Sequence, residues 1–324
     1  MIKFVRVDYK EVLQDQISTP RTSTYAHQFN TCYHPARDSP NQLVPTESPY
    51  SFKAWLPVIL GTRCLKDSDC QVISLSGWNA KFLLEVTNAS IPAGRVNLTY
   101  QEEVSQTIEP YFKGLKFPPS GLFMRLDACS AKDGVQRVPG QLSLHSVKDI
   151  ILRLVTSTRA RNALANNGAP EDFQLFFLPF NPRIIPAREY RIFCPPTRPG
   201  TVLNVAAISQ YQWHKPWLLK DLSKEEAIRV SRQITSKCCQ ILTIINGAVE
   251  KVPGITEQIH DLLISQGLTF DVFYDEESYE CHLIELNVFG IRSAAGSCLY
   301  QWKNDLKVLY NPGHDADIEF RITY

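Results

Sequence analysis

The sequence predicts an α+β protein with mixed and antiparallel sheets, not a doubly wound parallel sheet. Three observations carry this expectation. Two capped amphipathic helices, opening at Ser146 and Ser223, stand far apart in the chain. Short apolar runs cluster between and after them, and two of these flank Asp275-Glu276-Glu277-Ser278, which reads as the turn of a hairpin. Neither a dinucleotide fingerprint nor a Walker A loop opens any helix.

The elements follow in order. Residues 20–50 are rich in Pro, Ser, Thr and Asn with few aliphatics, so residues 1–49 are expected to form an irregular arm. Phe52, Trp55 and Leu56 fit one face of a short helix that Pro57 ends. A loop from Lys113 to Gly121 leads into a strand at Leu122–Met124. The helix opening at Ser146 has Asp149 three residues on and carries Val147, Ile150, Ile151, Leu154 and Val155 on one stripe. It is expected to fade before Asn166-Asn167-Gly168, a good stop. Strands are expected at Gln174–Leu178, at Glu189–Cys194 and, across a turn, at Thr201–Ile208. Ser223 and Glu226 form a capping box for a helix burying Ile234, Cys238, Ile241, Leu242 and Ile245, ended by Gly247 and Pro253. A shorter helix runs from Thr256 to Gly267, and the hairpin strands are Leu268–Tyr274 and Tyr279–Asn287.

Composition bounds the function. The chain has 324 residues, 34 Lys+Arg against 33 Asp+Glu, 44% hydrophobic and 21% charged residues. This is a globular composition, and the length suggests about two domains with a large core. A net charge of +1 supplies no global field for nucleic acid or anionic lipid. No stretch approaches the roughly 18 apolar residues of a membrane span. Lys3, Arg6 and Asp8 stand where a signal peptide would be apolar. The nine cysteines lack zinc-ligand spacing. A cytoplasmic protein with reduced thiols is expected.

Several residues carry chemistry. Glu285 and Asn287 lie two apart on a strand and share a face, with Ile284 and Leu286 expected to point into the core. Asp271 on the partner strand lies one pair or one diagonal away. Two carboxylates and an amide oxygen are hard ligands suited to Mg²⁺; the same pattern also describes a solvated polar face. Arg125 follows a strand, and Lys132 sits in a loop of small residues that lets backbone approach a phosphate, or is simply exposed. Glu189 and Arg191 share a strand face as an ion pair, or Arg191 reaches a phosphate. The seven histidines form no ligand set, and no histidine can be assigned to Cys129 as a catalytic partner. Tyr211, Trp213 and Trp217 either stack bases or pack.

Taken in order, these segments resemble the cell-division-cycle-protein-123 family, a eukaryotic branch of the ATP-grasp superfamily, over roughly residues 50–324. The segments that carry the resemblance are Trp55-Leu56-Pro57, Arg125-Leu126-Asp127-Ala128-Cys129-Ser130-Ala131-Lys132-Asp133, Glu189-Tyr190-Arg191-Ile192-Phe193 and Ile208-Ser209-Gln210. Phe270-Asp271-Val272, Leu283-Ile284-Glu285-Leu286-Asn287-Val288-Phe289-Gly290 and the tail Glu319-Phe320-Arg321-Ile322 complete it. No one of these motifs is specific alone; their order is.

The resemblance implies an ATP-grasp-like fold in which two α+β lobes clasp Mg-ATP, the small lobe within 50–177 and the large lobe within 178–324. It makes Asp271, Glu285 and Asn287 metal ligands, and Arg125, Lys132 and Arg191 phosphate contacts. Asp127, Ala131 and Asp133 belong to the nucleotide loop, and Phe177, Leu178 and Phe180 to the adenine hinge. It also implies an assembly chaperone that loads the γ subunit of translation initiation factor 2. The wider superfamily instead joins a small carboxylate to an amine through an acyl phosphate, a reading in which Arg292 binds the substrate carboxylate. A scaffold without nucleotide is the third reading. The sequence departs from the family at Arg125, a lysine there, at Asp127 and Ala128, at the hinge Pro179-Phe180-Asn181, at Tyr211, and past Gly290. No direct nucleic acid or membrane contact is expected.

Overall fold

A computed structural model describes residues 1–20, 22–39, 42, 44–166, 173–198, 200–250, 252–310 and 317–324. The chain divides into two units, one of residues 1–65 and 183–324, the other of residues 66–182. The first residues of the expected arm are regular: β1 (Ile2–Val7) and α1 (Tyr9–Ser18). The Asp8 side chain caps α1 by accepting from the Lys10 amide at 2.9 Å. β1 pairs with a strand formed some 300 residues later, a partner no local pattern announces. α2 (Phe52–Thr62) runs through Pro57 instead of ending there. Proline forfeits one backbone hydrogen bond, but buried Trp55, Val58, Ile59 and Leu60 hold the helix beyond it.

The unit of residues 66–182 contains β2 (Gln71–Leu75), α3 (Gly77–Ser90), α4 (Gln101–Thr107), β3 (Leu122–Leu126), α5 (Val147–Val155), α6 (Thr158–Asn166) and β4 (Phe173–Pro179). Its antiparallel sheet has the order β2-β4-β3. One face, with Leu75, Leu122, Met124, Leu126, Leu175 and Phe177, packs against Leu83 and Val86 of α3 and Ile150 and Leu154 of α5. The single helix expected after Ser146 is two. The Thr156 hydroxyl bonds back to the Leu152 carbonyl at 2.6 Å, and the Ser157 hydroxyl accepts from the Ala160 amide at 3.0 Å. Ser157 therefore restarts the helix, as a cap does. Asn167 and Gly168, the expected stop, lie outside the described residues.

The other unit continues with β5 (Glu189–Cys194), β6 (Ala207–Gln210), α7 (Lys224–Asn246), α8 (Glu257–Gln266), β7 (Leu268–Asp275), β8 (Glu280–Val288), α9 (Leu306–Leu309) and β9 (Ile318–Thr323). Its sheet, six-stranded among the described residues, has the order β1-β9-β6-β5-β7-β8. β9 runs parallel to β1 and β6, and the other pairs are antiparallel, so the sheet is mixed as expected. The capping box at Ser223 and Glu226 is present, and α7 buries the five residues named from the sequence. The strand expected from Thr201 to Ile208 is confined to β6. The Asn246 side chain takes both backbone groups of Leu203, at 3.2 and 3.1 Å, which keeps that stretch out of the ladder.

Gly134 shows how tightly the smaller unit packs. A Cβ there would lie 2.0 Å from the Arg153 carbonyl oxygen, a backbone atom that cannot turn away. Gly114, in the same unit, has nothing within 4 Å of such a Cβ. Gly134→Ala is expected to cost about 2 kcal/mol or more, and Gly114→Ala less than about 0.5 kcal/mol. Urea unfolding midpoints of the two variants measure the difference.

Candidate functional site

The strand register of the six-stranded sheet sets one side chain per strand in a transverse row. Val5 stands opposite Arg321, Arg321 opposite Ser209, Ser209 opposite Arg191, Arg191 opposite Asp271, and Asp271 opposite Glu285. Residues opposite one another in adjacent strands share a face. The face therefore carries a cation, a carboxylate and a second carboxylate side by side on β5, β7 and β8. Asn287, two residues beyond Glu285, joins them. The alternate residues Ile192, Phe270, Val272, Leu283 and Leu286 point the other way and are buried.

A β-bulge brings Glu285 into this row. Val272 pairs with Leu283 and Asp271 with Glu285, so Ile284 is the extra residue. Ile284 was expected in the core beside Leu286; Leu286 is buried, but the bulged Ile284 is only partly covered. Without the bulge, Ile284 would stand opposite Asp271 and Glu285 would turn to the apolar face. The end of α2 holds this irregular edge. Leu283 donates its amide to the Thr62 hydroxyl at 3.0 Å, and its carbonyl accepts from Arg63 Nε at 2.9 Å. The otherwise open edge of β8 is satisfied there.

Arg191, 7% exposed, grips Asp271, 1% exposed. Its Nε and Nη2 donate to the two carboxylate oxygens, each at 2.8 Å, and its Nη1 donates to the Gly296 carbonyl at 2.8 Å. The guanidinium lies 5.1 Å from the centre of the Tyr211 ring. Arg191 is thus paired with Asp271 across the sheet, where the sequence suggested Glu189 on the same strand. Burial opposes the charge on Arg191, yet Asp271 holds its pKa well above the usual arginine value. Burial pushes the Asp271 carboxyl up; Arg191 draws it down, and the neighbouring Glu285 carboxylate pushes it up again.

Asn287 Nδ2 donates to Asp271 Oδ2 at 3.2 Å and to Glu285 Oε1 at 3.3 Å. One polarised N–H₂ group lies between the two carboxylates and donates to both. A hard divalent cation fits such a set: its oxygen ligands would be Glu285, Asp271 and, with the amide turned over, Asn287. Among the described residues no group of three or more His, Cys, Asp or Glu is placed to hold a metal, so the amide is needed to complete the donor set.

The segment after β8 lies over the same row. Leu299 donates its amide to the Ser209 hydroxyl at 3.1 Å, and its carbonyl accepts from Arg321 Nη1 at 3.1 Å. Arg321 also forks onto Asp305, at 3.0 and 2.7 Å, and stacks 4.1 Å from the centre of the Tyr300 ring. The N-terminal arm ties down this segment in turn. Asn30 donates its amide to the Cys298 carbonyl at 2.7 Å, and Thr31 donates its amide to the Ser297 hydroxyl at 2.8 Å. Sequence reasoning found no role for the arm, because its bonds are to residues far along the chain. Arg292, the candidate substrate cation, donates from Nη1 to the Gln42 carbonyl of the arm at 3.1 Å. Trp217 is packed, its Nε1 donating to the Tyr190 hydroxyl at 2.7 Å, and Tyr211 lies under Arg191.

The other unit carries the remaining candidates. Arg125 on β3 stands opposite Phe176 on β4, and both are buried on the face turned away from the helices. Leu178 alternates onto that face too, whereas Phe177 sits in the helical core with its ring edge-on to Phe112. The side chain that joins Arg125 is therefore Phe176, which the sequence reading passed over; strand alternation around Arg125 would have found it. The Phe180 amide donates to the Gly121 carbonyl at 3.0 Å. Asp127 is half-buried, Lys132 exposed, and Ala131 buried in the helical core. Asp133 accepts from the Ser157 hydroxyl and, at 3.2 Å, from the Arg159 amide, so it anchors the start of α6. Cys129, which the sequence left without a partner, directs its thiol to the Arg159 carbonyl at 3.5 Å.

All nine cysteines are free thiols, and no helix among the described residues is long and apolar enough to cross a membrane. No protein-family model matches the chain, and no curated protein does. Among solved structures, Cdc123 from Schizosaccharomyces pombe is similar over 86% of this chain and 99% of that one, with TM-score 0.55 and 18% identity. Its C-terminally truncated form is similar over the same shares, with TM-score 0.55 and 17% identity. The chain has a Cdc123-like α+β fold.

The row predicts unequal roles for its two carboxylates. Asp271→Ala leaves a buried guanidinium without its counter-ion and is expected to cost about 3–5 kcal/mol. Glu285→Ala removes a half-buried carboxylate from the same row and is expected to cost clearly less than Asp271→Ala. Denaturant unfolding of both variants measures this.

Proposed function

We propose that the chain binds Mg-ATP and serves, in the cytoplasm, as an assembly chaperone of the kind its sequence resembles, with the γ subunit of translation initiation factor 2 as partner. The observation that carries this is the row of Asp271, Glu285 and Asn287 on one sheet face. These oxygen donors suit a hard cation that carries phosphates. The Cdc123-like fold supports it, and so does the ordered set of motifs.

In this reading Glu285 is the principal metal ligand, because it is half-buried and Arg191 already holds both oxygens of Asp271. Arg191 fixes the orientation of Asp271 and does not itself meet phosphate. Within the smaller unit, Arg125 and Lys132 supply the cations that the resemblance assigns to the phosphates. Arg125 shares its face with Phe176 and Leu178, which are suited to an apolar base edge. When bound, Mg²⁺ would neutralise phosphate charge and orient the nucleotide. The carboxylate–amine ligase reading remains the alternative. The bond from Arg292 to the arm weighs against it, since that reading needed Arg292 for a substrate carboxylate.

Calorimetry of ATP binding, with and without Mg²⁺, tests the site. The wild type is expected to bind with metal dependence, and Glu285→Ala to lose at least about tenfold in affinity while its unfolding midpoint holds. Metal-independent or unchanged affinity in the variant would sink the assignment. Capture of the isolated γ subunit, set beside a phosphate-release screen over amino acids, separates the chaperone from the ligase.

A further inference from the structure

We propose that a second site, confined to the unit of residues 66–182, receives an acidic side chain of a partner protein, its carboxylate seated between Arg153 and Arg137. The site is independent of the nucleotide reading and uses none of its residues.

Arg153 on α5 is 7% exposed and inadequately matched. Its Nη2 donates to the Gln141 carbonyl at 3.0 Å, while its buried Nε meets no acceptor among the described residues. The nearby carboxylate, Asp149, is already engaged: Oδ1 lies 3.6 Å from Arg137 Nη1, and Oδ2 accepts from the His145 amide at 3.0 Å. Two guanidinium groups thus share one carboxylate, which leaves one positive charge over. Two arginines of the other unit, buried Arg191 and partly buried Arg321, behave differently. Arg191 and Arg321 fork onto carboxylates and are pushed up in pKa, whereas burial pushes Arg153 down and Asp149 only partly opposes it. A buried cation without its counter-ion is unfavourable unless something supplies that charge.

A small cavity adjoins it. Arg137, Val138, Gln141, Ser143, Asp149 and Arg153 enclose about 10 Å³, the space of one water or one carboxylate oxygen. The guanidinium fork of Arg153 suits a carboxylate in its plane. The rim is apolar, since Val135, Val138 and Leu142 of the same loop are exposed. A free anion leaves those side chains in water, whereas an acidic residue with apolar neighbours covers them, so the rim selects a protein segment over a small ion. The loop is already set in shape. Gly134 abuts the Arg153 carbonyl, Val135 donates its amide to the Thr156 hydroxyl at 2.8 Å, and Gly140 donates its amide to Gln136 Oε1 at 2.7 Å. Little ordering remains to oppose binding.

The test uses the full chain and two capped probes, acetyl-Leu-Glu-Leu-amide and its Gln counterpart, read by the Nε–H resonance of Arg153. The Glu peptide is expected to shift that resonance saturably, and the Gln peptide to bind at least about tenfold more weakly. Arg153→Gln, which lacks the guanidinium Nε–H, is followed by the Gln141 backbone amide resonance instead, and should abolish the saturable shift that the Glu peptide causes there in the wild type. Should that variant fail to fold, Arg137→Gln at a 58% exposed side chain and Val138→Asp on the rim should each weaken the Glu peptide by about tenfold. Equal binding of the two peptides overturns the proposal. So does saturation by sodium acetate at the same concentration, which would make this a free-anion site, and so does the absence of any shift up to about 10 mM peptide.

Discussion

The fork of Arg191 onto Asp271 is the interaction on which the larger unit turns. Both groups are buried in the middle of a sheet, where neither charge is tolerable alone. Their pairing holds β5 and β7 in register, and Asp271 in turn stands opposite Glu285 of β8. The third donor of Arg191 reaches Gly296, so the same side chain also fixes the segment lying over the row. That segment is held again by Ser209 and Arg321, the next members of the row, and from outside by the arm through Asn30 and Thr31. One line of polar side chains across β9, β6, β5, β7 and β8 thus organises both the candidate site and its cover.

The bulge at Ile284 is the local exception that makes the site possible. An uninterrupted β8 would present Ile284 to Asp271 and leave Glu285 among apolar side chains. Bulges cost ladder bonds, and here Thr62 and Arg63 of α2 supply partners for the groups of Leu283. The same two residues cover a sheet edge that would otherwise be open to pairing with other chains. The smaller unit shows a comparable economy. Ser157 and Asp133 end one helix and start another, and the turn they make anchors the loop that carries Lys132.

Arginines in the molecule divide by what burial does to them. Arg191 and Arg321 are matched to carboxylates and belong to the architecture. Arg125 shares its face with Phe176 and Leu178, an arrangement of charge and apolar surface suited to a nucleotide. Arg153 is buried against a carbonyl and an already engaged carboxylate, which is what marks it out as a place for an incoming charge.

The sequence by itself determined the elements whose signals are local. The capping box at Ser223, the stripe of α7, the limits of β5 and the hairpin of β7 and β8 are each set by residues within a few positions of one another. Periodicity and caps act at that range. The face shared by Glu285 and Asn287 was legible for the same reason, and the ordered motifs pointed to the fold that the similarity to Cdc123 supports. What only the tertiary structure decided depends on distant partners. β1 exists because β9 lies beside it, α2 continues through Pro57 because its apolar side chains are buried, and Leu203 leaves its strand because Asn246 takes its backbone groups. Phe176 stands opposite Arg125, and Phe177 opposite Met124 on the core face, because β4 pairs with β3 in that register. Arg191 serves Asp271 instead of Glu189 because strand pairing places a buried carboxylate closer than any neighbour in the chain could be. Pairing, register and burial are properties of the assembled chain, and no window of sequence contains them.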